Sequence, residues 1–330
     1  MKTPKVTARA HTNIALVKYW GKADEELIIP QNNSLSLTLD HFYTDTTVQF
    51  DPTLTADQFT LNGQAQKTTK ITKFLDIIRQ MAASQLFARV ESTNHVPTMA
   101  GLASSASAYA ALALAGSKAL GLDLNSKDLS RLARRGSGSA CRSIYGGFVE
   151  WQKGDSDQTS YAVPLVENLD WDLKMIAIVV NDKQKKIASR AGMQTVVHTS
   201  PYYSAWVKRS KEDLLALKQA IAEKDFTQLG KIAEGNAMCM HALNLSATPH
   251  FNYFEAESLK AMQLVEQLRD QGLECYYTMD AGPNVKVICQ GKDLKAIVDS
   301  LSQEFSNEQL LVASAGPGAE ILEIKNSERN

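Results

Sequence analysis

The four cysteines of this 330-residue chain are too few and too scattered to form a disulfide framework or a zinc site. Cys141, Cys239, Cys275 and Cys289 form no C-x-x-C pair, and none lies in a cluster with histidine. We therefore expect reduced thiols that serve as small core residues, as in a cytoplasmic protein. The six histidines also lack metal-ligand spacing, which predicts surface or hydrogen-bonded core positions for them.

The sequence also lacks a long hydrophobic run and an excess of charge of one sign. Its main run of small and apolar residues, Ala108 to Gly116, is far shorter than the roughly 20 apolar residues that span a membrane. Residues 1–11 contain no hydrophobic segment typical of a secretory signal, so we expect none. A net charge of -1 disfavours a nucleic-acid partner, and the balance of 44% apolar with 22% charged residues excludes disorder.

Predicted strands and helices follow one another irregularly, without an internal repeat or a flexible linker. Period-two alternation predicts strands over residues 5–10, 34–39, 87–92, 146–152, 174–180, 273–279 and 285–289. Helical spacing and caps predict helices over 69–88, from Gly101 to Gly121, from Asn125 to Arg135, after a Ser210–Asp213 capping box, from Phe226, and over 259–268 and 294–301. This mixture favours an α+β fold. The polar, basic residues 181–190 predict a boundary between two domains, 1–185 and 186–330.

The two commonest phosphate-binding signatures, G-x-x-x-x-G-K-[ST] and G-x-G-x-x-G, are both missing. In their place, Pro97 to Ser107 is a run of small residues with three hydroxyls, and a helix is predicted to begin inside it. Helix N-termini favour phosphate, and serine hydroxyls can ligate Mg²⁺ between phosphates. An Ala/Ser-rich helix packed tightly on a sheet explains the same composition about equally well.

Basic residues cluster in three further stretches. Lys18 and Lys22 are four apart, so on a helical turn they would share a face that suits a polyanion. Arg134 to Arg142 combines glycines, serines and guanidinium groups, which hold carboxylate or phosphate. Lys183 to Arg190 is similarly basic. Each stretch can also be a solvated, charged loop, and taken alone that interpretation is the simpler one for Lys18 to Lys22.

Asp280 follows a predicted strand and precedes a Gly-Pro turn. Such an aspartate is usually a turn residue, and the alternative is a general base or an orienting carboxylate. A hydrolase is disfavoured, because Gly136 to Gly138 is too short for the nucleophile elbow G-x-S-x-G.

Together and in this order, four of these stretches resemble the diphosphomevalonate decarboxylase family of the GHMP kinase superfamily. Pro97 to Ser107 is similar to the phosphate-binding loop of the superfamily. Asn13 to Lys22, Gly136 to Ser143 and Asp280 to Asn284 are similar to segments of the decarboxylases themselves. The resemblance implies a two-part α+β fold, with an N-terminal domain like ribosomal protein S5 domain 2, a C-terminal GHMP α/β sandwich, and the active site in the cleft between them.

The resemblance also implies an activity, the ATP- and Mg²⁺-dependent conversion of (R)-5-diphosphomevalonate to isopentenyl diphosphate in the mevalonate pathway of isoprenoid biosynthesis. Members phosphorylate the tertiary hydroxyl and then eliminate phosphate and CO₂, with ADP as the other product. The family further implies a cytoplasmic homodimer without a nucleic-acid or membrane partner.

Individual residues acquire roles from the same resemblance. Asp280 would accept or orient the hydroxyl proton, and Lys18 would steady the developing charge. Substrate contacts are implied for Tyr19, Trp20, Gly21, Lys22, Lys70, Ser137, Gly138, Ser139, Ala140, Cys141, Arg190 and, at the carboxylate, Arg142. ATP contacts are implied for Ser92, Asn94, Gly101, Leu102, Ala103, Ser107, Lys185, Lys186 and the two possible Mg²⁺ ligands Ser104 and Ser105.

Two other functions remain open at the level of the sequence. The first is a GHMP kinase that phosphorylates mevalonate or a related alcohol and stops there. The stretch from Lys18 to Lys22 and Arg142 favour the decarboxylase, because only its substrate needs a carboxylate held for elimination. The second is a non-catalytic binding protein on the same scaffold, and the presence of both Asp280 and Lys18 argues against it.

Overall fold

Two β-sheets with helices packed against them organise the computed structural model, which describes residues 2–95, 104–180 and 187–326. The strands are β1 (Lys5–Val17), β2 (Lys22–Asp24), β3 (Ile29–Pro30), β4 (Ser34–Asp51), β5 (Gln58–Leu61), β6 (Gln64–Ala65), β7 (Phe87–Asn94), β8 (Phe148–Gln152), β9 (Tyr161–Val166), β10 (Leu173–Ile178), β11 (Cys275–Met279), β12 (Val285–Gln290), β13 (Leu310–Ser314) and β14 (Glu320–Lys325). The helices are α1 (Thr69–Met81), α2 (Ser104–Ala119), α3 (Ser126–Gly136), α4 (Ser189–Thr199), α5 (Tyr203–Glu223), α6 (Phe226–Ser246), α7 (Ala256–Asp270) and α8 (Gly291–Leu301), with short 3-10 helices at Gly138–Ile144 and Asn307–Gln309. The predicted α+β class is confirmed.

The first sheet has eight strands, in the order β14-β1-β4-β7-β5-β6 with β8 and β9 attached to β4. The second has four strands in the order β11-β12-β10-β13, and all its pairs are antiparallel. Strand β10 precedes the predicted domain boundary at 185 but pairs with strands that follow it, and β14 returns to the first sheet beside β1. Each sheet therefore contains at least one strand from the other side of the predicted boundary, and the division at 185 stays a prediction.

The two halves of strand β1 pack into different hydrophobic cores. Val6, Ala8 and Ala10 pack into a core formed with α1, α2 and α3. The register with β4 shifts between His11 and Asn13. Beyond that shift Ile14 and Leu16 pack into a second core, built from both sheets and from α5 and α6. The end of β1 is thus fixed where the two sheets meet.

Small side chains bring α2 close to the first sheet. Ala106, Ala110 and Ala113 are fully buried, and the Ser107 hydroxyl lies 2.7 Å from the hydroxyl of Thr44 on β4. This is the tight packing that an Ala/Ser-rich helix permits. Asn125 caps α3 as predicted, because its side chain accepts a hydrogen bond from the Asp128 amide.

Two predicted helix boundaries are wrong. The Ser210–Asp213 pair does not begin a helix but lies inside α5, where Trp206, Leu214 and Leu217 form a continuous buried face. The Asp213 carboxylate accepts instead from the side chains of Arg209 and Asn236. The helix predicted over 69–88 ends at Met81, since the chain turns beyond it and enters β7. Among the described residues, no helix has the length and hydropathy needed to cross a membrane.

Two glycines of α6 give a test of the packing between this helix and the second sheet. A Cβ atom at Gly230 would lie 1.9 Å from the ring of Tyr276, whereas one at Gly235 would meet nothing within 4 Å. We expect Gly230→Ala to destabilise the protein by about 1–3 kcal/mol through overpacking. Gly235→Ala should be neutral or stabilising by up to about 1 kcal/mol, because alanine is the better helix former.

Thermal unfolding of the two variants beside the wild type measures the difference. Equal melting temperatures for Gly230→Ala and Gly235→Ala would show that α6 does not pack on β11 as described.

Candidate active site

A cleft of about 1060 Å³ opens where the end of β1, α1, the residues after α3 and the start of α4 come together. Among the described residues, seven basic side chains line it, namely Lys18, Lys22, Lys70, Lys73, Arg135, Arg142 and Arg190. Four acidic side chains also line it, namely Glu25, Glu26, Asp76 and Asp280. The surplus of positive charge suits a ligand with several negative charges.

Asp280 lies at the floor of this cleft between two lysines. The Lys18 ammonium is 2.8 Å from its Oδ1 atom, and the Lys286 ammonium is 3.3 Å from its Oδ2 atom. Both lysine side chains are almost completely buried, at 2% and 1% exposure, whereas 28% of the Asp280 side chain is accessible from the cleft. One carboxylate therefore holds two buried cations and still presents an edge to a ligand.

These contacts shift the ionisation of the pair. Burial alone would raise the pKa of Asp280, but the charges and hydrogen bonds of Lys18 and Lys286 outweigh it and hold the pKa well below its ordinary value. Burial lowers the pKa of Lys18, and the charge of Asp280 opposes that shift. At neutral pH Asp280 is an anion and a weak base.

The main chain around Lys18 is held from both sides. Its amide donates to the Asn236 Oδ1 atom of α6 at 2.8 Å, and its carbonyl accepts from the Asn32 side chain at 3.0 Å. The ammonium also donates to the Ala15 carbonyl at 2.7 Å. Lys18 is thus fixed in place before any ligand arrives, as a preorganised electrostatic site requires.

Arg142 is held by neutral groups only. It lies in the 3-10 helix after α3, and its Nε atom donates to Asn13 Oδ1 at 3.1 Å and to Ser36 Oγ at 2.9 Å. Its Nη1 atom donates to Ser34 Oγ at 2.6 Å. No carboxylate in the described part of the chain forms a salt bridge with this buried guanidinium, so its charge is left to be matched by a ligand in the cleft.

The loop before Arg142 closely follows the surface of an aromatic pair. A Cβ atom at Gly138 would lie 2.8 Å from Trp151 and 2.9 Å from Tyr19, so only glycine fits there. The buried Tyr19 hydroxyl has no hydrogen-bond partner in the described residues. The Ser105 hydroxyl at the start of α2 lies 3.3 Å from the Ser137 hydroxyl. This contact joins the predicted phosphate-binding stretch to the segment that leads to Arg142.

Two family models match the chain, the diphosphomevalonate decarboxylase-like N-terminal domain over residues 10–162 and the mevalonate 5-diphosphate decarboxylase C-terminal domain over residues 175–328. The diphosphomevalonate decarboxylase of Bos taurus is 37% identical, with 92% of this chain and 81% of that protein covered. The chain belongs to the diphosphomevalonate decarboxylase family.

Solved structures of the family agree in fold with this chain. Mevalonate diphosphate decarboxylase from Staphylococcus aureus has a TM-score of 0.94 at 53% identity, over 98% of this chain and 99% of that one. The protein MDDEF in complex with MVAPP, AMPPCP and magnesium has the same TM-score at 54% identity, over 98% and 100% of the two chains. The two-part α+β fold implied by the sequence motifs is thereby confirmed.

Most of the residues matched to decarboxylase substrate contacts lie around the cleft. Its lining includes Lys18, Tyr19, Trp20, Lys22, Lys70, Ser105, Ser137, Gly138, Ser139, Arg142, Arg190 and Asp280. The helical face predicted for Lys18 and Lys22 is wrong, because β1 ends at Val17 and β2 begins at Lys22, with Gly21 at a φ of 141° between them. The two lysines reach one cleft through a turn instead.

Other predicted contacts lie elsewhere. Gly21 packs against the hydroxyl of Tyr203, and the Ala140 and Cys141 side chains are buried in apolar clusters; none of these three residues lines the cleft. Ser92 bonds to Thr46, and Asn94 and Ser107 both bond to Thr44. Gly101, Leu102, Ala103, Lys185 and Lys186 lie outside the described residues, so their predicted ATP contacts, like those of Ser92, Asn94, Ser104 and Ser107, stay predictions.

Sequence reasoning missed several residues of the decarboxylase cleft. Lys286, Ser34, Ser36 and Lys73 belong to no motif, although each reaches Asp280, Arg142 or the cleft, and Arg135 lies in the basic stretch Arg134 to Arg142 without having been assigned a contact. Two signals were available in the sequence. Ser34 and Ser36 alternate with leucines, and Lys286 interrupts the apolar run Val285 to Cys289.

The ion pairs of Asp280 predict a stability effect. Asp280→Asn leaves two buried ammonium groups without an anion, so we expect a loss of about 3–5 kcal/mol at neutral pH. The folded-state pKa of Asp280 is depressed, so the stabilisation is present above its unfolded value and is lost as the pH falls below about 4.

Calorimetric unfolding from neutral pH down to about pH 2, through the range below the unfolded-state pKa of an aspartate, tests this prediction, with Asp76→Asn as the control because 53% of that side chain is exposed. The deficit of Asp280→Asn should narrow towards acid pH, whereas Asp76→Asn should stay close to the wild type throughout. A deficit of Asp280→Asn that does not change with pH would contradict the assignment.

Proposed function

We propose that this protein converts (R)-5-diphosphomevalonate and ATP into isopentenyl diphosphate, ADP, phosphate and CO₂. The observation that carries the proposal is the buried Lys18–Asp280 pair at the floor of a basic cleft, with the unpaired guanidinium of Arg142 beside it. The family membership and the MVAPP and AMPPCP bound to the related MDDEF support it.

In the first step the tertiary hydroxyl oxygen attacks the γ-phosphorus of ATP, and ADP leaves. Asp280 is ionised and presents its accessible edge to the cleft, so it accepts a hydrogen bond from that hydroxyl and aims its lone pair. A carboxylate with so low a pKa removes a proton poorly before the transition state. The loose transition state of phosphoryl transfer needs little proton removal in advance, so Asp280 mainly orients the hydroxyl and takes its proton only as the new P–O bond forms.

In the second step the C–O bond to the new phosphate breaks, and the phosphate leaves with the electron pair. Positive character develops on the carbon, and the electron pair of the C–carboxylate bond moves in to form the double bond as CO₂ departs. Arg142 holds the carboxylate in the plane that this elimination needs. Lys18 offsets the negative charge that gathers on the phosphoryl oxygens.

The diphosphate binds among the other basic groups that line the cleft. Lys22, Lys70 and Arg190 supply charge there, and Tyr19 offers an unpartnered hydroxyl. Residues 188–191, at the start of α4, also line the cleft, and a helix N-terminus favours an anion. Ser137 and Ser139 also line the cleft.

ATP approaches from the side of α2. The Ser105 hydroxyl faces the cleft at the first turn of that helix, next to Ser104, and these hydroxyls with phosphate oxygens form a donor set that suits Mg²⁺. When bound there, Mg²⁺ neutralises charge on the phosphates. In the described part of the chain no group of three or more His, Cys, Asp or Glu side chains forms a metal site, which agrees with an ion that arrives with the nucleotide.

Assembly and location are proposed on the family resemblance. We propose a homodimer in the cytoplasm, without nucleic-acid or membrane partners. All four cysteines are free, and three of them are buried as expected, whereas the expected core position is wrong for Cys239, which is exposed.

Arg142 gives a prediction about substrate discrimination. Arg142→Ala should weaken diphosphomevalonate binding by about 2–5 kcal/mol, because the buried carboxylate loses its charged partner. ATP should bind nearly as in the wild type, since the hydrogen bonds of Arg142 go to β1 and β4 and not to α2. Isothermal titration with each ligand measures both affinities.

Arg131→Ala is the matched control, because Arg131 lies in the preceding helix, pairs with Asp157 and does not line the cleft. If Arg142→Ala bound diphosphomevalonate with wild-type affinity, Arg142 would not bind the substrate carboxylate. Equal losses of affinity in both arginine variants would indicate a general disturbance of this segment.

Asp280 gives the kinetic test of the whole proposal. Asp280→Asn should slow ADP formation in a single turnover by at least about a thousandfold, because both the acceptor and the charge that orient the hydroxyl are lost. The rates of ADP and CO₂ formation should fall together, since phosphorylation precedes elimination. Diphosphomevalonate affinity should change little, because other residues hold the diphosphate.

Coupled detection of ADP and CO₂ with diphosphomevalonate and Mg-ATP is the measurement. ADP without CO₂ from the wild type would make the protein a kinase instead. Turnover of Asp280→Asn within tenfold of the wild type would exclude the role given to Asp280.

A further inference from the structure

Lys286 occupies a position where the strand pattern calls for an apolar residue. It lies in β12, whose residues Val285, Val287 and Cys289 face the core under α7 and α8. Lys286 and Ile288 face the opposite side, towards the core that joins the two sheets. Only 1% of the Lys286 side chain is exposed. Burying an ammonium group at such a site is costly unless it is paired, so its contacts explain its presence.

Those contacts lead to Asp280 and not to the cleft. The Lys286 Nζ atom is 3.3 Å from Asp280 Oδ2 and donates to the Asn284 carbonyl at 3.1 Å. Lys286 is not among the residues that line the cleft, whereas Lys18 and Asp280 are. A substrate in the cleft therefore meets Asp280 and Lys18, and Lys286 stands behind them.

We propose that Lys286 is a positioning residue, which together with Lys18 clamps both oxygens of the Asp280 carboxylate and fixes the plane in which it meets the substrate hydroxyl. The inference rests on the proposed function and names a residue that acts on its reaction through Asp280.

A single lysine cannot fix that plane. Rotation about the terminal bond of an aspartate side chain has broad minima, so with Lys18 alone on Oδ1 the other oxygen could swing away from the hydroxyl. Lys286 approaches Oδ2 from a different strand, and both ammonium groups are themselves tied to main-chain carbonyls, Ala15 for Lys18 and Asn284 for Lys286. The carboxylate is thus held by two anchored donors.

The test is a double-mutant cycle between Lys286→Met and Asp280→Asn, read as the single-turnover rate of ADP formation. Methionine keeps the length and apolar stem of lysine without its charge. In the wild-type background we expect Lys286→Met to lower the rate by about 10- to 100-fold, the usual cost of a misplaced reacting group. KM for diphosphomevalonate should stay within about threefold, since Lys286 does not line the cleft.

The Asp280→Asn background separates a role through Asp280 from an independent one. There Lys286→Met should change the rate by less than about threefold, because the group it positions is gone. The same 10- to 100-fold loss in both backgrounds would overturn the proposal. So would a Lys286→Met enzyme within twofold of the wild-type rate.

Lys174→Met is the control for the loss of a lysine from the same sheet. Lys174 lies on the neighbouring strand β10 and pairs with Ser314 and Asp172 away from Asp280. It should react at the wild-type rate, and a loss like that of Lys286→Met would overturn the proposal.

Folding is addressed by melting temperatures of the same four proteins of the cycle. If Lys286→Met alone does not fold, Asp280→Asn and the double variant still decide: equal rates support the clamp, and a slower double variant overturns it. Failure of the proposed function would look different, because the wild type would then form neither ADP nor CO₂. In that case the melting temperatures of the same four proteins still report whether Lys286 stabilises the fold only when Asp280 is present.

Discussion

Asp280 lies between two ammonium groups that have lost nearly all contact with water, and three separate parts of the chain meet to place them. Lys18 follows β1, Asp280 follows β11, and Lys286 belongs to β12. Ion pairs of this kind are stabilising only when their geometry is well held, since desolvation of each charge is costly. The cluster therefore depends on the two sheets being fixed against each other, and its strength at neutral pH depends on Asp280 remaining an anion.

The core between the two sheets supplies that rigidity. It joins Ile14 and Leu37 of the first sheet to Met175 and Ile288 of the second, with Leu217 of α5 packed among them. Close packing of this kind resists small displacements, so a shift of one sheet would move Lys18 relative to Asp280 and weaken their contact. The positions of the charged groups are thus well defined, because they lie where one continuous core joins the two sheets. The chain also passes between the sheets, since β14 pairs with β1 in the first sheet and β10 pairs with β13 in the second.

How much of this the sequence could reveal depends on whether a residue acts within a local motif. Lys18, Arg142 and Asp280 lie in short stretches that match a family, and the structure brings all three to one cleft. Lys286 lies in no such motif. Its contact with Asp280 depends on the pairing of β11 with β12, and Lys18 reaches the same carboxylate from the other sheet. The helical face expected for Lys18 and Lys22 failed for the opposite reason, because the spacing was right and the local structure was a turn at Gly21.

The distribution of paired and unpaired charges explains how a chain of net charge -1 makes a basic cleft. Outside the cleft, carboxylates neutralise arginines closely: Asp157 accepts from Arg131 and Arg134, and Asp57 holds Arg79. Arg142, by contrast, is held by serine and asparagine oxygens, which fix its position and leave its charge unmatched. Neutral acceptors therefore fix the Arg142 side chain and keep its positive charge available. A carboxylate in their place would also fix the side chain, but it would cancel the attraction for the carboxylate of the substrate.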